Sequence, residues 1–293
     1  MSLIRSLIVV SRADLQIGTP ATALLGIFLG YRIPPAMPSI LYLILCILLV
    51  TIASHINCMY DLEVDKRYKK ELAEAVLTIG IRNFKLLIFA ESLIVGILIL
   101  WFLLNDILVA ILSIIGLFLA YSYSTPPLRI KDKGWLNPIP TFIGLYFFPI
   151  LAGWSIVRKD FPPYFIAFLI SYTLMNSGFL LINIGEDYDE DRKCGIKTWA
   201  HMLGLKKTAK LSFIFALFGI GCIVTIIQPF NIISSIFILL AFLGLINSLK
   251  DIYEIIKAHP KRMAFKKYAK KIPIWFFTTR YPMLLAIVVK IIS

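Results

Sequence analysis

Charge is scarce in this chain of 293 residues: only 16% are Asp, Glu, Lys or Arg, against about a quarter in a soluble globular domain. With 59% of residues hydrophobic and a mean hydropathy of +0.84, that deficit excludes a soluble fold, although the length alone would permit one. Strand-like alternation is missing too, so nothing competes with the long continuous apolar runs. Cysteine is nearly missing. Cys46, Cys58, Cys194 and Cys222 have no metal-ligand spacing, and two lie deep in apolar runs, which excludes a disulfide framework and a zinc site. No small-residue cleavage site follows residues 1–12, so no removable signal peptide is expected. Residues 2–13 read instead as an amphipathic helix lying on a membrane surface.

What is present is membrane-spanning sequence. About 20 mainly apolar residues cross ~30 Å of hydrocarbon as a helix. Nine runs qualify: 15–32, 38–60, 84–104, 106–124, 137–157, 162–184, 209–228, 230–247 and 275–292. Tight turns at Asn105-Asp106 and Gln228-Pro229 separate neighbours. The expected fold is therefore all-α, a polytopic bundle of about nine transmembrane helices forming one domain, 1–293.

The net charge of +13 raises nucleic acid as a partner, but its distribution excludes that. Connections 61–85, 125–136, 185–210 and 248–274 carry 6, 3, 6 and 8 Lys or Arg. All four follow even-numbered spans and so share one face, which the positive-inside rule makes cytoplasmic. Topology and anionic headgroups explain the basic excess. The Ile- and Lys-rich composition points to a prokaryotic cell membrane.

Acids at the end of a membrane span are costly and need a reason. Asn57-x-x-x-Asp61-x-x-x-Asp65 closes the second span, and Asn183-x-x-x-Asp187-x-x-x-Asp191 closes the sixth. The offset is 126 residues throughout, which divides the chain into two motif-bearing halves, about 1–130 and 131–293. A spacing of four climbs ~6 Å and turns ~40° past a full rotation, so each set forms one stripe on a helix face. Like charges at that spacing repel, and repeating the arrangement at one membrane boundary implies a cation to be held. The ligands are hard oxygens, which suit magnesium or manganese. Magnesium takes one or two carboxylates and completes its shell with phosphate and water. Two facing stripes would thus clamp a diphosphate, with Asp61, Asp65, Asp187 and Asp191 as its working carboxylates and Asn57 and Asn183 as further ligands.

Basic residues around the stripes fit the same reading. Tyr121 leads into Pro126-Pro127, which ends the fourth span. Arg129 and Lys131 follow and reach for diphosphate oxygens. Lys193, next to the second stripe, is placed to do the same. Glu91 lies about seven residues into the third span, where a carboxyl faces a cavity or a partner. It either binds an acceptor or acts as a base, or else pairs with Arg280 or a neighbouring helix. Asn176 is two turns before Asn183 and is expected to line the same cavity. His55 points away from the first stripe, as a packing residue. The segment Lys257–Lys271, with Phe265 and Met263 interleaved, is expected to lie along the headgroups.

Together these motifs resemble the UbiA superfamily of intramembrane prenyltransferases. In that family an N-x-x-x-D-x-x-x-D motif is paired with D-x-x-x-D running into G-x-x-T. Asn57, Asp61 and Asp65 match the first; Asp187, Asp191, Gly195 and Thr198 match the second. The Tyr-rich stretch into P-P and a basic run matches Tyr121 through Lys131, and Arg12 matches an arginine that opens the first span. The resemblance covers roughly residues 10–210. It implies a nine-helix bundle around a central cavity open sideways to lipid and capped by cytoplasmic loops. It implies magnesium-dependent transfer of a prenyl chain from an isoprenyl diphosphate to a hydrophobic acceptor, through an allylic cation. One departure is the missing Arg-Pro after the first motif, which leaves Arg67 or Lys69 to make that contact. Another is His201, where relatives carry a different residue. Two rival readings fit less well. A CDP-alcohol phosphotransferase needs D-x-x-D-G-x-x-A-R, which does not follow Asp61. A divalent-cation transporter needs acids near the midplane rather than at helix ends on one face.

Overall fold

The computed structural model describes residues 1–12, 18–227 and 231–293. In chain order its helices are α1 (Leu3–Val10), α2 (Gly18–Phe28), α3 (Ala36–Tyr60), α4 (Leu62–Tyr68) and α5 (Lys70–Ile79). Next come α6 (Ile81–Asn105), α7 (Ile107–Ser124), α8 (Gly134–Val157, with a π-helical turn at Ile143–Phe147), α9 (Pro163–Glu186), α10 (Tyr188–Lys193) and α11 (Trp199–Leu203). The last are α12 (Leu205–Ile226), α13 (Ile232–Lys257), α14 (Lys261–Ala269) and α15 (Ile272–Ile292). No strand occurs among the described residues.

Eight of these helices are long and apolar enough to cross a membrane: α3, α6, α7, α8, α9, α12, α13 and α15. The ninth expected span, 15–32, is the 11-residue α2, about 16 Å of helix. Gly30 and Pro34-Pro35 follow it, and residues 13–17 lie outside the described residues. The expected turn at Gln228-Pro229 also lies outside them. The turn at Asn105-Asp106 is present. The Asp106 carboxylate caps α7 by accepting from the Leu108 and Val109 amides at 3.2 and 3.4 Å. One span is longer than its apolar run. The run stops at 247, whereas α13 continues to Lys257. Asp251 in that extension accepts from Lys271 at 2.8 Å and from the Trp275 indole at 3.1 Å. Hydropathy marks where hydrocarbon ends, and a helix does not have to stop there.

Packing is inverted relative to a soluble protein. Large apolar side chains such as Ile97, Leu100 and Leu104 face outward, as lipid-facing residues do. One apolar core gathers α2, α3, α5, α6 and α7, and another gathers α9, α12, α13, α14 and α15. α9 is the most buried span, with 67% of its apolar window inside the protein against 22% for α6. Its sequence explains this. Ser171, Ser177, Gly178 and Gly185 are small and buried, so neighbouring backbones come close. Ser212 of α12 donates to the Gly178 carbonyl at 2.7 Å.

The amphipathic N-terminus forms α1, with Leu3, Ile4 and Ile8 exposed and Ser6 and Val10 buried. It rests on α5, where Arg5 meets Glu71 at 2.9 Å. The basic segment 257–271 contains α14. In α14, Phe265 is fully buried, Arg262 pairs with Asp189, and Lys266 reaches Glu190 at 3.5 Å. Arg262 and Lys266 thus have acidic partners on α10, so α14 packs over the second stripe.

Candidate active site

Both acidic stripes share a detail that spacing alone does not reveal. Their middle aspartates sit at junctions, Asp61 between α3 and α4 and Asp187 between α9 and α10. The helical hydrogen bonds run on through the junctions. Asp61 N donates to the Asn57 carbonyl at 2.9 Å and Asp65 N to that of Asp61 at 2.8 Å. Asp187 N donates to the Asn183 carbonyl at 3.4 Å and Asp191 N to that of Asp187 at 2.9 Å. The stripes therefore stay in register across each junction.

The two stripes face one cavity of about 410 Å³. Asn57, Asp61, Asn183, Asp187 and Asp191 all line it. Asp65 lines a smaller space of about 60 Å³ that shares Asp61, Asp187 and Asp191 with the larger one. The rest of the large cavity is mostly apolar and includes Leu49, Leu112, Leu145, Phe148 and Leu180. A polar mouth over a greasy body fits an amphiphile with an anionic head.

Cations already sit among the acids. Lys131 contacts Asp61 Oδ2, and Arg129 reaches Oδ1 at 3.1 Å. Lys69 lies 3.7 Å from Asp187 Oδ2. Burial lowers the Lys131 pKa, and the Asp61 charge opposes that shift. Asp65 is buried, and its Oδ2 has no hydrogen-bond partner. Burial pushes its carboxyl up to about 6. Burial, reinforced by the Asp187 charge, pushes Asp191 up to about 7. Burial thus outweighs the nearby charges of Lys69 and Lys131 at both carboxyls, and a metal ion would offset that cost. Among the described residues no three acid, His or Cys side chains converge tightly enough to hold an ion by themselves. The hard carboxylate and amide oxygens of the stripes suit magnesium, which takes one or two carboxylates and fills its other positions with phosphate and water.

The other expected residues divide. Lys69 and Lys131 line the cavity, and Arg129 borders it through Asp61. Arg67 and Lys193 are exposed and line neither space. Tyr121 turns away, its hydroxyl 2.7 Å from Ser92 Oγ. Tyr123 lines the cavity in its place. Residues two apart on a helix differ by ~200°, and Tyr-Ser-Tyr offers no way to choose between them. Glu91 pairs with His55 at 2.9 Å rather than with Arg280, and neither member of the pair lines the cavity. His201 is structural. Its Nδ1 lies 2.9 Å from Thr198 Oγ1, its Nε2 2.7 Å from the Tyr188 carbonyl, and its ring stacks on Tyr188. It thereby fixes Thr198, which does line the cavity. Arg12 lines both spaces. Thr198, matched in the second motif, lines the cavity as well, and Arg280 is a further lining residue for which spacing gave no signal.

The chain and its fold have known relatives. The model of the UbiA prenyltransferase family matches residues 19–277. The chain is 27% identical over 101 residues to the bacteriochlorophyll synthase 33 kDa chain of Cereibacter sphaeroides, a match covering 34% of this chain and 33% of that protein. It is 33% identical over 91 residues to the lycopene elongase/hydratase of Haloferax volcanii, covering 31% and 29%. The matched segments thus span about a third of either relative's length. The fold is similar to that of a UbiA homolog from Archaeoglobus fulgidus bound to GPP and Mg2+. The TM-score is 0.69 and the identity 18%, over 94% of this chain and 99% of that one.

Proposed function

The chain belongs to the UbiA prenyltransferase family, and from that premise we propose that it transfers a prenyl group from an isoprenyl diphosphate to a lipophilic acceptor within the bilayer. It is an integral, multi-pass membrane protein. The observation that carries the reading is the cavity whose mouth brings Asn57 and Asp61 of one stripe together with Asn183, Asp187 and Asp191 of the other, above a body of apolar helices. We place the mouth on the cytoplasmic face of a prokaryotic membrane, where the basic connections lie.

Asp61, Asp65, Asp187 and Asp191, with Asn57 and Asn183, would hold magnesium, with manganese as a substitute. Bound magnesium supplies charge neutralisation and orientation of the diphosphate. Lys131, Arg129 and Lys69 then face the outer oxygens of the leaving diphosphate, where negative charge grows as the allylic C–O bond breaks. The electron pair of that bond departs with diphosphate. A nucleophilic carbon or oxygen of the acceptor supplies the pair for the new bond and loses its proton. The cavity's aliphatic wall excludes water from the allylic cation, and the prenyl tail partitions into it at ~0.8 kcal/mol per methylene. Tyr123 and Tyr146 present rings to the same space, and ring faces stabilise cations.

The test uses purified protein in lipid vesicles with radiolabelled geranylgeranyl diphosphate and a pool of phenolic, naphthoate, carotenoid, tetrapyrrole and glycerol-lipid acceptors. Label should enter a new lipid with magnesium and not with EDTA, and Asp61→Asn and Asp187→Asn should each abolish transfer. Neither transfer nor magnesium-dependent diphosphate binding in the wild type would sink the reading.

A further inference from the structure

Arg280 is a cation in the wrong place for topology. It lies eight residues into α15, about 12 Å along a membrane-spanning helix, and is 3% exposed. A charge at such depth marks function more often than packing. Its fixed partners are neutral. Nε and Nη2 donate to Asn176 Oδ1 at 3.0 and 2.8 Å, and Nη1 donates to the Gly18 carbonyl at 3.1 Å. The guanidinium lies 3.8 Å from the Phe276 ring centroid and 5.2 Å from that of Tyr146. No carboxylate pairs with it among the described residues.

Guanidinium carries five N–H donors; the three bonds above use three of them, and the Tyr146 hydroxyl is a further hydrogen-bond partner. Arg280 lines the cavity together with Phe276 and Tyr146. Asn176, expected to line that cavity, instead lies behind Arg280 and fixes its plane. Asn176 is one stripe-spacing and three residues short of Asn183, about 10 Å deeper along α9. A rigid planar cation with one N–H to spare, the Tyr146 hydroxyl beside it and no carboxylate partner therefore sits in the cavity wall beneath the acidic mouth. Its chemistry suits a two-oxygen anion.

We propose that Arg280 is the anchor for an anionic oxygen group, a carboxylate or a phosphate, carried by the acceptor. The donor's own diphosphate belongs at the mouth with the acids, so the deeper cation is left for the other substrate. Calling the ligand an acceptor rests on the prenyl-transfer reading; the anion site itself does not. The arrangement has a consequence for order. An allylic cation formed in the same low-dielectric space is repelled by an unpaired guanidinium. An anionic acceptor cancels that charge before the donor ionises.

The experiment measures binding to the full-length protein in lipid nanodiscs without magnesium or donor. Two matched pairs of probes separate the sources: 4-hydroxybenzoate against its methyl ester, and geranylgeranylglyceryl phosphate against geranylgeranylglycerol. In at least one pair the acid should bind ten-fold or more tighter than its neutral partner. Arg280→Gln should erase that preference. Asn176→Asp should erase it too, because it keeps the tie between α9 and α15 while neutralising the guanidinium from behind. The second variant decides the matter if the first fails to fold, since a purely structural Arg280 would tolerate it with the preference unchanged. Magnesium-dependent binding of geranylgeranyl diphosphate, measured in parallel, should persist in both variants. No acid preference in either wild-type pair, or a preference that survives Asn176→Asp, overturns the proposal. Acid preference without donor binding would instead overturn the prenyl-transfer reading and leave the anion site standing.

Discussion

Lys131 and Asp61, seventy residues apart, are in direct contact through Nζ and Oδ2, and Arg129 holds the other carboxylate oxygen at 3.1 Å. The basic loop between α7 and α8 is thereby folded onto the first acidic stripe. Lys131 is buried, and its backbone carbonyl is fixed by the Asn137 amide at 2.6 Å. A buried ion pair costs desolvation of both charges, which is repaid only by good geometry. Here each partner has a second use. Asp61 is a ligand for a cation, and Lys131 is a ligand for the phosphate that the cation brings.

Removing Lys131 should therefore move two quantities in opposite directions. Without donor, Lys131→Met frees Asp61 from a competing ammonium, so magnesium alone should bind more tightly. With donor, the leaving diphosphate loses a charge partner, and kcat/KM should fall about 10²–10³-fold. Magnesium titrations on donor-free protein and steady-state transfer assays read the two arms. If both fall together, Lys131 organises the stripe instead of serving the phosphate.

Cation binding should also depend on pH in a defined window. Without metal, Asp65 holds its proton up to about 6 and Asp191 up to about 7. Magnesium must displace those protons, so its affinity should weaken as pH falls from 8 to 6 and level off above. Calorimetry in two buffers of different ionisation enthalpy should count protons released at pH 6.5 and close to none at 8.5. The linkage to folding has the opposite sense. Folded carboxyls that keep protons the unfolded chain would release cost stability as pH rises from about 4 towards 7. Metal-free protein should melt lower at pH 7 than at pH 5, and magnesium should reverse that order. A pH-independent magnesium affinity would contradict the assignment of these carboxyls as ligands.

The features legible in the sequence were those written locally. Span positions follow from apolar length, and the stripes follow from a period of four that the helices carry through Asp61 and Asp187. What stayed hidden depended on which helix packs against which. Glu91 reads either as a cavity residue or as half of a helix pair until α6 is placed beside α3 and its carboxylate meets His55. Arg280 reads as a candidate partner for Glu91 until Asn176, 104 residues away, is seen to hold it. Tyr121 and Tyr123 are indistinguishable without the rotation of α7. The end of α2 at Phe28 was illegible because the apolar residues after it have the same hydropathy as the helix.

The His55–Glu91 pair is expected to serve stability rather than chemistry. His55 is 1% exposed, and its Nε2 also lies 3.2 Å from Ser11 Oγ, which ties the end of α1 to α3 and α6. Glu91→Ala leaves that imidazole without its acid and should cost about 3 kcal/mol. Glu91→Gln keeps a hydrogen-bonding partner and should cost less. Transfer per folded molecule should stay within about twofold in both. Thermal unfolding in lipid, paired with activity normalised to folded protein, separates the effects. Activity lost at unchanged stability would return Glu91 to the site.

Two glycines on α9 should respond differently to the same added methyl group, because their neighbours differ in kind. At Gly178 a Cβ would meet the Ala216 nitrogen and the Ser212 oxygen, both backbone atoms, at 2.7 Å. Backbone in a packed helix cannot step aside, so Gly178→Ala must prise α9 from α12 and should cost about 2 kcal/mol. At Gly185 a Cβ would meet the Phe265 ring at 2.1 Å, a worse clash on paper. The ring is the end of a side chain, however, and it belongs to α14, the helix that reaches over the second stripe. Gly185→Ala should displace Phe265 and loosen α14, lowering activity through Asp187 two residues on. Adding Phe265→Ala should recover much of that loss, giving a non-additive double-mutant cycle. No single side-chain truncation on α12 should rescue Gly178→Ala, since the atoms in the way are backbone. Melting temperatures and transfer rates for the four variants decide it, and equal rescue at both positions would mean that α9 is held by side-chain packing alone.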